Sequence, residues 1–412
     1  MLTLFKQNKM YRVFLMYQFF SAIGGSMFSM FILLSIHLIY ENPIYTGIAG
    51  FLTAAPWIFS FAVGPIVDRY NKIAIMRLTT FLEFLVLSLL AFTPLQEGFG
   101  APFMFAVIFL YNIAALFENP ASTALLPQIV SEEKIMEANA LINIIAMAGG
   151  VVIAAVLFNA LRDNINFSFL YGFSAAFLAI TFMVSLFLRN PAGNKNTKKA
   201  SSLKYISDLK EGAQFIRRNI LLYITIALVA MEFFGEIAYI NRPMFLEYHV
   251  GAQGYIVFTV MGLIGGIAAS YFVGAMGSRF KLGWFAFVLL LLAGVVRIVF
   301  VFVLPNLYIG GLVIMVIYVA LASSVDIIFQ SLNQKIPPED MVGRVATIST
   351  TFVAIAVTIG ALVGGFLGSV VPEVGHIFVF QGASYVMIGV LIIFVPRFRK
   401  LPRMTEIVKG DL

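Results

Sequence analysis

Residues 13–40 read VFLMYQFFSAIGGSMFSMFILLSIHLIY and contain no Asp, Glu, Lys or Arg. A helix needs about 20 predominantly apolar residues to cross the hydrocarbon core of a bilayer, so this stretch predicts a membrane-spanning helix. It is longer than the ~7–15-residue apolar region of a cleavable signal peptide, and no small-residue cleavage pattern closes it. We therefore expect it to stay in the protein as the first spanning helix.

Comparable apolar stretches recur along the chain. Of its 412 residues, 61% are hydrophobic and only 11% are charged, whereas soluble domains carry about 25% charged residues. We predict an all-α membrane protein with twelve transmembrane helices in two six-helix bundles. The predicted spans are 12–38, 47–67, 76–94, 101–122, 138–161, 166–188, 219–246, 251–276, 283–304, 307–331, 345–370 and 375–396.

The distribution of basic residues predicts the orientation of these helices. Lys and Arg are concentrated at the N-terminus, in the loops that follow even-numbered helices, and in the C-terminal tail, whereas the opposite loops contain only Arg162 and Arg242. Positively charged loops remain on the cytoplasmic side, so we expect both termini in the cytoplasm of a cell (inner or plasma) membrane protein. Because the net charge of +7 is spread over short loops, it does not indicate a nucleic-acid partner.

The longest polar stretch divides the chain between the sixth and seventh helices. We predict an N-terminal bundle over 1–188, a cytoplasmic linker over 189–218 with a short amphipathic helix over 203–218, a C-terminal bundle over 219–396 and a cytoplasmic tail over 397–412. Two six-helix halves around a central site are a known transporter architecture.

Two loops at matching positions indicate an internal repeat. The loop after the second helix reads GPIVDRYNK over 64–72, and the loop after the eighth reads GAMGSRFK over 274–281. Glycine, arginine and the following aromatic residue recur in register, and the segments near Glu133 and Glu339 also align. Together these matches favour a duplicated six-helix unit.

The 64–72 loop resembles the signature G-x-L-a-D-R-x-G-R-K of the major facilitator superfamily. Asn71 stands at the second glycine of the signature, and asparagine tolerates a left-handed backbone better than most residues. The resemblance implies a cytoplasmic gate, in which Gly64 permits a close helix approach and the loop's natural partner is the start of the eleventh helix. The residues to which it assigns the gate are Gly64, Asp68, Arg69, Lys72 and Arg344.

Two further segments are similar to the macrolide-efflux-type drug exporters of this superfamily. They are FENPASTALLPQIV at 117–130 followed by EANAL at 137–141, and the stretch 337–345 with its Gly343-Arg344-Val345. The resemblance implies drug efflux. The fourth helix lacks the arginine of better-known drug:proton antiporters, and the fifth lacks their glycine–proline pattern, so their proton mechanism does not carry over.

Ionisable residues inside the predicted helices are candidates for function, because each costs roughly 2.5–3.5 kcal/mol at a helix centre. Glu232 and Glu236 are four residues apart and share a helix face with Tyr239. A carboxyl group there could exchange protons or attract a cationic substrate, or else both carboxyl groups are neutral or paired with Arg242 or Arg297 as structural support. Arg297 on the ninth helix is predicted to be a buried partner for one of these glutamates or for a helix terminus, and the alternative is that it contacts the substrate.

Three other acidic residues lie within predicted helices. Glu118 and Asp326 occupy nearly equivalent places in the two halves, which favours a gating or structural role over direct proton coupling. Glu83 on the third helix is expected to pair with Arg77. Polar side chains that could line a substrate pocket are Tyr17, Gln18, Ser21, Asn112 and Gln330.

These observations predict a secondary active transporter and exclude several other classes. The sequence has neither a nucleotide-binding P-loop nor a nucleophile–base constellation, so we expect no enzyme. It has no cysteine and three dispersed histidines, so we expect no cofactor and no metal site. The expected partners are a small-molecule substrate, protons and the lipid bilayer, with the chain as a monomer. The favoured function is proton-coupled efflux of hydrophobic, cationic or macrolide-like compounds by alternating access, and the alternative is a permease or exporter of a metabolite, siderophore or lipid-like molecule.

Overall fold

The computed structural model describes residues 8–94, 100–130, 135–160, 166–189, 202–276, 279–338, 341–403 and 406–407. The described part of the chain contains helices and no strands. The helices are α1 (Lys9–Tyr40), α2 (Pro43–Ala54), α3 (Ser60–Arg69), α4 (Lys72–Phe92), α5 (Gly100–Ile129), α6 (Ile135–Ala160), α7 (Phe167–Leu186), α8 (Ser202–Arg218), α9 (Leu221–Ile240), α10 (Arg242–Met276), α11 (Leu282–Val303), α12 (Tyr308–Lys335), α13 (Val342–Val370), α14 (Gly375–Ile393) and α15 (Pro396–Arg399).

Asparagine side chains start three of these helices. Asn8 accepts a hydrogen bond from the backbone N–H of Tyr11 at 2.9 Å, and Asn166 does the same for Phe169 at 3.2 Å. Asn71 accepts from two backbone N–H groups at the start of α4. The first N–H groups of a helix have no partner within the helix, so an asparagine at this position stabilises the first turn.

Eleven helical segments of the described chain are long and apolar enough to cross a membrane. Helix α6 occupies the place of the predicted fifth span. One predicted span is interrupted, because α2 and α3 are joined by a 3₁₀ turn over Ala55–Phe59 that contains Pro56. The amphipathic linker helix predicted over 203–218 is confirmed as α8.

The predicted end of the seventh span, at 246, is wrong. Helix α9 ends at Ile240, and α10 begins at Arg242 and continues past a non-helical residue, Gly251. Pro243 has no N–H to donate to the preceding turn, and the Asn241 side chain binds the carbonyl of Ile237 at 2.8 Å. Gly251 has φ 73°, a conformation that glycine adopts without steric cost, so the eighth span starts there.

The described helices group into two compact units. The first comprises Met1–Tyr45 and Leu52–Ala200, and the second comprises Thr46–Phe51 and Ser201–Leu412. These bounds differ from the predicted ones, because α8, which was predicted as part of a separate linker, belongs to the second unit. The predicted division into bundles, linker and tail stays a prediction.

The two units share a pattern of helix packing. In the first, α4 packs on α5 and α7, and α1 packs on α6 and α7; in the second, α11 packs on α12 and α14, and α9 packs on α13 and α14. This correspondence agrees with the duplicated six-helix unit that the loop motifs indicate.

The membrane-spanning helices bury one face inside their unit and expose apolar side chains outside it. Tyr17, Phe31 and Leu290 are fully buried, whereas Phe92 is 89% exposed and Leu391 is 60% exposed. Large apolar side chains are unfavourable when they are exposed to water and favourable when they are exposed to lipid. A helix also satisfies the backbone hydrogen bonds that lipid cannot provide. The outward faces therefore indicate a chain that is solvated by a bilayer.

Glycine pairs allow some helices to pack backbone to backbone. A Cβ atom on Gly382 of α14 would lie 2.6 Å from the carbonyl oxygen of Gly294 on α11, and a Cβ on Gly294 would overlap the carbonyl of Gly382. In a membrane no hydrophobic effect drives one helix against another. Small residues let the backbones approach closely, so that van der Waals contacts stabilise the pair.

We expect Gly382→Ala to lower the free energy of unfolding by about 1–3 kcal/mol, the usual cost of an overpacked contact. Gly266→Ala on α10 is the matched control, since nothing lies within 4 Å of the position that its added methyl group would take and alanine favours a helix. Unfolding of the purified protein in mixed detergent micelles would measure both. Equal stability of the two variants would contradict the close contact of α11 and α14.

A buried carboxyl network in the spanning helices

Helix α9 carries Glu232 and Glu236 on one face, as predicted. Its neighbour α13 packs closely against that face, because a Cβ on Gly360 would lie 2.8 Å from the carbonyl oxygen of Phe233 and 3.2 Å from Cβ of Glu236. Neither glutamate takes part in a salt bridge within the described residues. A direct ion pair with an arginine, one form of the structural alternative, is therefore not present at either glutamate among the described residues.

Asp326 of α12 lies near Glu232, close enough for the two carboxyl groups to interact electrostatically. Its Oδ1 atom is buried and has no hydrogen-bond partner among the described residues. Glu232 also interacts with the tyrosines Tyr318 and Tyr385, and the hydroxyl of Tyr385 lies against Gly235, between the two glutamates. The second unit thus brings together acidic residues that are about 90 positions apart in sequence.

Arg297 is 4% exposed and binds a different set of groups from those predicted. Its Nε donates to Oε1 of Gln381 at 2.8 Å, and the amide nitrogen of Gln381 donates to the hydroxyl of Tyr318 at 2.9 Å. Its guanidinium carbon lies 4.5 Å from the ring centre of Tyr318 and 4.6 Å from that of Phe378. The prediction of a glutamate or a helix terminus as its partner is wrong for the described residues, because a glutamine and aromatic rings surround the cation.

Arg242, at the start of α10, lies beside Glu236 and Tyr239. Its guanidinium carbon is 4.8 Å from the ring centre of Tyr239 and 5.1 Å from that of Tyr255, and it donates to the hydroxyl of Thr259 at 3.2 Å. It interacts electrostatically with Glu236 without a direct salt bridge. Tyr239 therefore belongs to the surroundings of Arg242 rather than to those of Glu232.

The first unit has its own carboxyl pair. Glu83 of α4 and Glu118 of α5 lie near enough for their carboxyl groups to interact electrostatically, and the hydroxyl of Tyr17 donates to Oε1 of Glu118 at 2.5 Å. The hydroxyl of Ser21 lies 3.4 Å from the same oxygen. Tyr17 and Ser21, both predicted to line a pocket, thus contact a carboxyl group, a contact that sequence reasoning missed.

The predicted pairing of Glu83 with Arg77 is wrong. Arg77 donates to the backbone carbonyl groups of Ser185 at 3.1 Å and Leu188 at 2.8 Å, at the end of α7. Arg77 and Glu83 are six positions apart, a spacing that puts two side chains on different faces of a helix. The sequence therefore contained the signal against this pair.

The structure describes only part of the predicted gate. The side chain of Asp68 lies outside the described residues, and Arg69 and Lys72 flank the turn between α3 and α4. Gly64 has no described atom within 4 Å of a Cβ position, so the described residues make no close approach there. Asn71 has φ −67° and caps α4, so the left-handed conformation expected at that position is wrong.

Arg344, at the start of α13, forms a salt bridge with Glu211 of α8 at 2.5 Å. The two side chains are 26% and 54% exposed, and Gly212 packs its backbone close to Arg344 and Ile348. The linker helix is therefore attached to the eleventh span through this contact.

We expect Glu211→Gln to lower the free energy of unfolding by less than about 1 kcal/mol, because solvent screens an exposed ion pair and its side chains lose entropy. A double-mutant cycle with Arg344→Gln, repeated at low and high salt, would measure the coupling. A coupling well above this value that did not depend on salt would contradict the exposed geometry.

No group of three or more acidic or histidine side chains that could hold a metal ion occurs among the described residues.

Comparison with known proteins places these helices in a family. The sequence profile of the Major Facilitator Superfamily matches residues 14–361. The chain belongs to this superfamily. It is therefore a transporter of the all-α, multi-pass membrane type with a small-molecule substrate.

Two curated relatives cover nearly the whole chain at low identity. An uncharacterised transporter of this superfamily, YkuC of Bacillus subtilis, is 24% identical over 97% of this chain and 94% of its own length. The enterobactin exporter EntS of Salmonella typhi is 24% identical over 98% of this chain and 97% of its own length. Neither relationship specifically supports the macrolide-efflux branch.

Solved structures share the fold. The crystal structure of the nucleoside transporter NupG has a TM-score of 0.74, with 12% identity over 94% of this chain and 98% of that chain. A transporter of the POT family in complex with 5-aminolevulinic acid has a TM-score of 0.72, with 14% identity over 95% of this chain and 97% of that chain. The twelve-helix architecture expected from the sequence is thus that of known transporters.

Proposed function

We propose that this protein is a proton-coupled exporter of hydrophobic or cationic small molecules that works by alternating access. Glu232 is the proposed coupling residue, with Asp326 and Glu236 as its acidic neighbours. The observation that carries the proposal is the proximity of Glu232 and Asp326, two carboxyl groups in spanning helices that form no salt bridge among the described residues.

The absence of ion pairs at these carboxyl groups, within the part of the chain that the structure describes, has an energetic consequence. An ionised carboxylate in apolar surroundings is costly unless it is paired and hydrogen-bonded, and Glu232 faces a second carboxyl group instead of a cation. Protonation of either acid removes the repulsion between them. Exchange of a proton at Glu232 can therefore bias the equilibrium between inward-open and outward-open states, as a ligand with different affinities for two states does.

The substrate class rests on the segments that resemble macrolide-efflux-type exporters and on the aromatic character of the chain. It has 42 phenylalanines and 18 methionines, side chains that adapt to bulky apolar ligands. The basic loops support an orientation with both termini in the cytoplasm of the plasma membrane.

Siderophore export is the second candidate. It is favoured by the enterobactin exporters of Salmonella, which align over 98% of this chain. A substrate of that kind is a larger polar molecule than a lipophilic cation. It would require different contacts on the same fold, since sites rather than folds determine function.

A transport assay separates these candidates. Everted membrane vesicles that contain the protein would be acidified inside, and a pH-sensitive dye would follow the lumen while a macrolide, a lipophilic cation or enterobactin is added. A macrolide or a lipophilic cation that makes the lumen less acidic would support drug-type antiport, and a response to enterobactin alone would support the second candidate. Accumulation of a compound without any proton movement would overturn proton coupling.

A further inference from the structure

Arg242, at the start of α10, belongs to a cluster that a break in this helix assembles. Its Nη2 atom donates to the hydroxyl of Thr259 at 3.2 Å, although the two residues are 17 positions apart. Along a straight helix this spacing would separate them by about 25 Å. The non-helical Gly251, with φ 73°, turns the chain between them, so that the second part of α10 returns to the arginine.

The described groups that contact the guanidinium are neutral. They are the hydroxyl of Thr259 and the rings of Tyr239 and Tyr255, whose centres lie 4.8 and 5.1 Å from the guanidinium carbon. Its Nε atom is buried and has no hydrogen-bond partner among the described residues. A buried donor without an acceptor is unfavourable, so the cluster is suited to receive an acceptor from a ligand.

Glu236 is the acidic residue closest in sequence to this arginine, and it does not neutralise it by direct contact. The two side chains interact electrostatically, but no salt bridge joins them in the described part of the chain. A cation in apolar surroundings is costly unless it is paired and hydrogen-bonded. An anionic group bound at Arg242 would therefore offset a cost that the described residues leave in place.

The cluster is accessible to a ligand, in contrast to the surroundings of Arg297. Arg297 is 4% exposed and has Gln381 as its hydrogen-bond acceptor. Arg242 is only partly buried, and the ring of Tyr239 beside it is 38% exposed. A molecule that packs on this ring lies within reach of the guanidinium.

The chemistry of these side chains selects the kind of ligand. A guanidinium has five N–H donors in one plane and binds a carboxylate through two parallel hydrogen bonds. A tyrosine ring adds apolar contact area for the hydrophobic part of a ligand. Together they match a molecule that joins an aromatic or other apolar body to an anionic group.

We propose that Arg242, Tyr239 and Thr259 form a binding site for the anionic group of a hydrophobic substrate, with an aromatic carboxylate as the simplest ligand. The carboxylate accepts hydrogen bonds from the guanidinium, and the attached ring packs on Tyr239. Glu236 limits the affinity, because its negative charge competes for the same cation. The site narrows the proposed substrate class, so its use in transport rests on the proposed function, whereas binding does not.

Equilibrium dialysis of the purified full-length protein against radiolabelled 2-naphthoate tests the site without transport. The protein is kept in phosphate-free maltoside micelles, and empty micelles give the background. The probe 2-naphthamide has nearly the same shape without the charge. We expect saturable binding of one 2-naphthoate per molecule, and binding of 2-naphthamide that is at least about tenfold weaker, because it lacks the charge-assisted hydrogen bonds.

Three variants assign the binding to the cluster. Arg242→Gln should weaken 2-naphthoate binding at least about tenfold and leave 2-naphthamide binding unchanged, because only the acid uses the charge. Glu236→Gln should strengthen 2-naphthoate binding by about threefold or more, since a competing charge is removed. Arg397→Gln, at an exposed arginine outside the cluster, is the matched control and should bind as the wild type does.

A fourth variant keeps the test valid if Arg242→Gln does not fold, which size-exclusion chromatography would show. Arg242→Lys retains the positive charge but loses the planar fork of donors. We expect it to bind 2-naphthoate more weakly than the wild type while it still prefers the acid to the amide. Wild-type affinity in Arg242→Lys would mean that the guanidinium does not hold the carboxylate.

Four other results would overturn the proposal. They are equal affinity of the wild type for the acid and the amide, unchanged 2-naphthoate binding in Arg242→Gln, weaker binding in Glu236→Gln, and displacement of 2-naphthoate by phosphatidylglycerol added to the micelles. The last result would assign the cluster to a lipid phosphate instead of a substrate. A failed proton-movement assay would refute the proposed function and change none of these binding results, so the two failures are distinguishable.

Discussion

Glu232→Gln is expected to abolish substrate-driven proton movement. Glutamine has nearly the shape of a protonated glutamate but cannot release a proton, so the variant holds the site in its protonated form. Steps that need no deprotonation should continue. Exchange of labelled for unlabelled substrate across the membrane of proteoliposomes should therefore persist, while uptake driven by a proton gradient falls to the background level.

The controls for this prediction lie on the same unit. Glu236→Gln, one helical turn away, should retain part of the coupling, because Glu236 has Arg242 nearby to offset its charge. Glu373→Gln changes an exposed residue at the start of α14 and should have no effect. Gradient-driven uptake that survives in Glu232→Gln would move the coupling to another acid, and loss of exchange as well would indicate a structural role.

The fold was largely predictable because its main determinant is local. A spanning helix must bury its own backbone hydrogen bonds and expose apolar side chains over about 20 residues, so each one is visible in sequence without knowledge of its neighbours. The helix end at Ile240 was missed for the same reason. The residues from 241 to 246 are uncharged apart from Arg242, and the Asn241 side chain and Pro243 break the helix.

Partnerships between helices were less predictable. Sequence gives the approximate depth of a charged residue in the membrane, but the rotation of its helix decides what the residue meets. Arg297 was correctly predicted to be buried, yet its helix turns it toward Gln381. Glu83 was placed near Arg77, although their spacing opposes it, and Glu118 of the next helix was not considered as its partner.

Arg297→Leu is expected to lower the free energy of unfolding by about 2–4 kcal/mol. Two opposing effects set this value. Removal of a charged group from the middle of a spanning helix recovers roughly 2.5–3.5 kcal/mol of insertion cost. Against this, the variant loses a charge-assisted hydrogen bond worth about 1.5–3 kcal/mol, and Oε1 of Gln381 is left without its partner at a further cost of about 1–3 kcal/mol.

The aromatic rings decide the sign of the balance. The guanidinium of Arg297 contacts Tyr318, Phe378 and Phe300, whose ring centres lie 4.5, 4.6 and 5.3 Å from its central carbon. Each desolvated cation–π contact contributes up to about 2 kcal/mol, so the lost contacts outweigh the recovered insertion cost. The three rings, rather than a carboxylate, account for the presence of a buried cation in this part of the unit.

Unfolding in mixed detergent micelles would measure this effect together with its coupling to Gln381. In the double variant Arg297→Leu/Gln381→Leu the Oε1 atom of Gln381 is no longer left unpaired, whereas the Tyr318 hydroxyl loses the hydrogen bond from the Gln381 amide, so only part of the loss should be recovered. Arg397→Leu, at an exposed arginine, is the matched control and should change stability by less than about 0.5 kcal/mol. If Arg297→Leu were as stable as the wild type, the ring contacts would contribute no more than the cost of burying the charge, and the arginine at this position would have to serve transport instead.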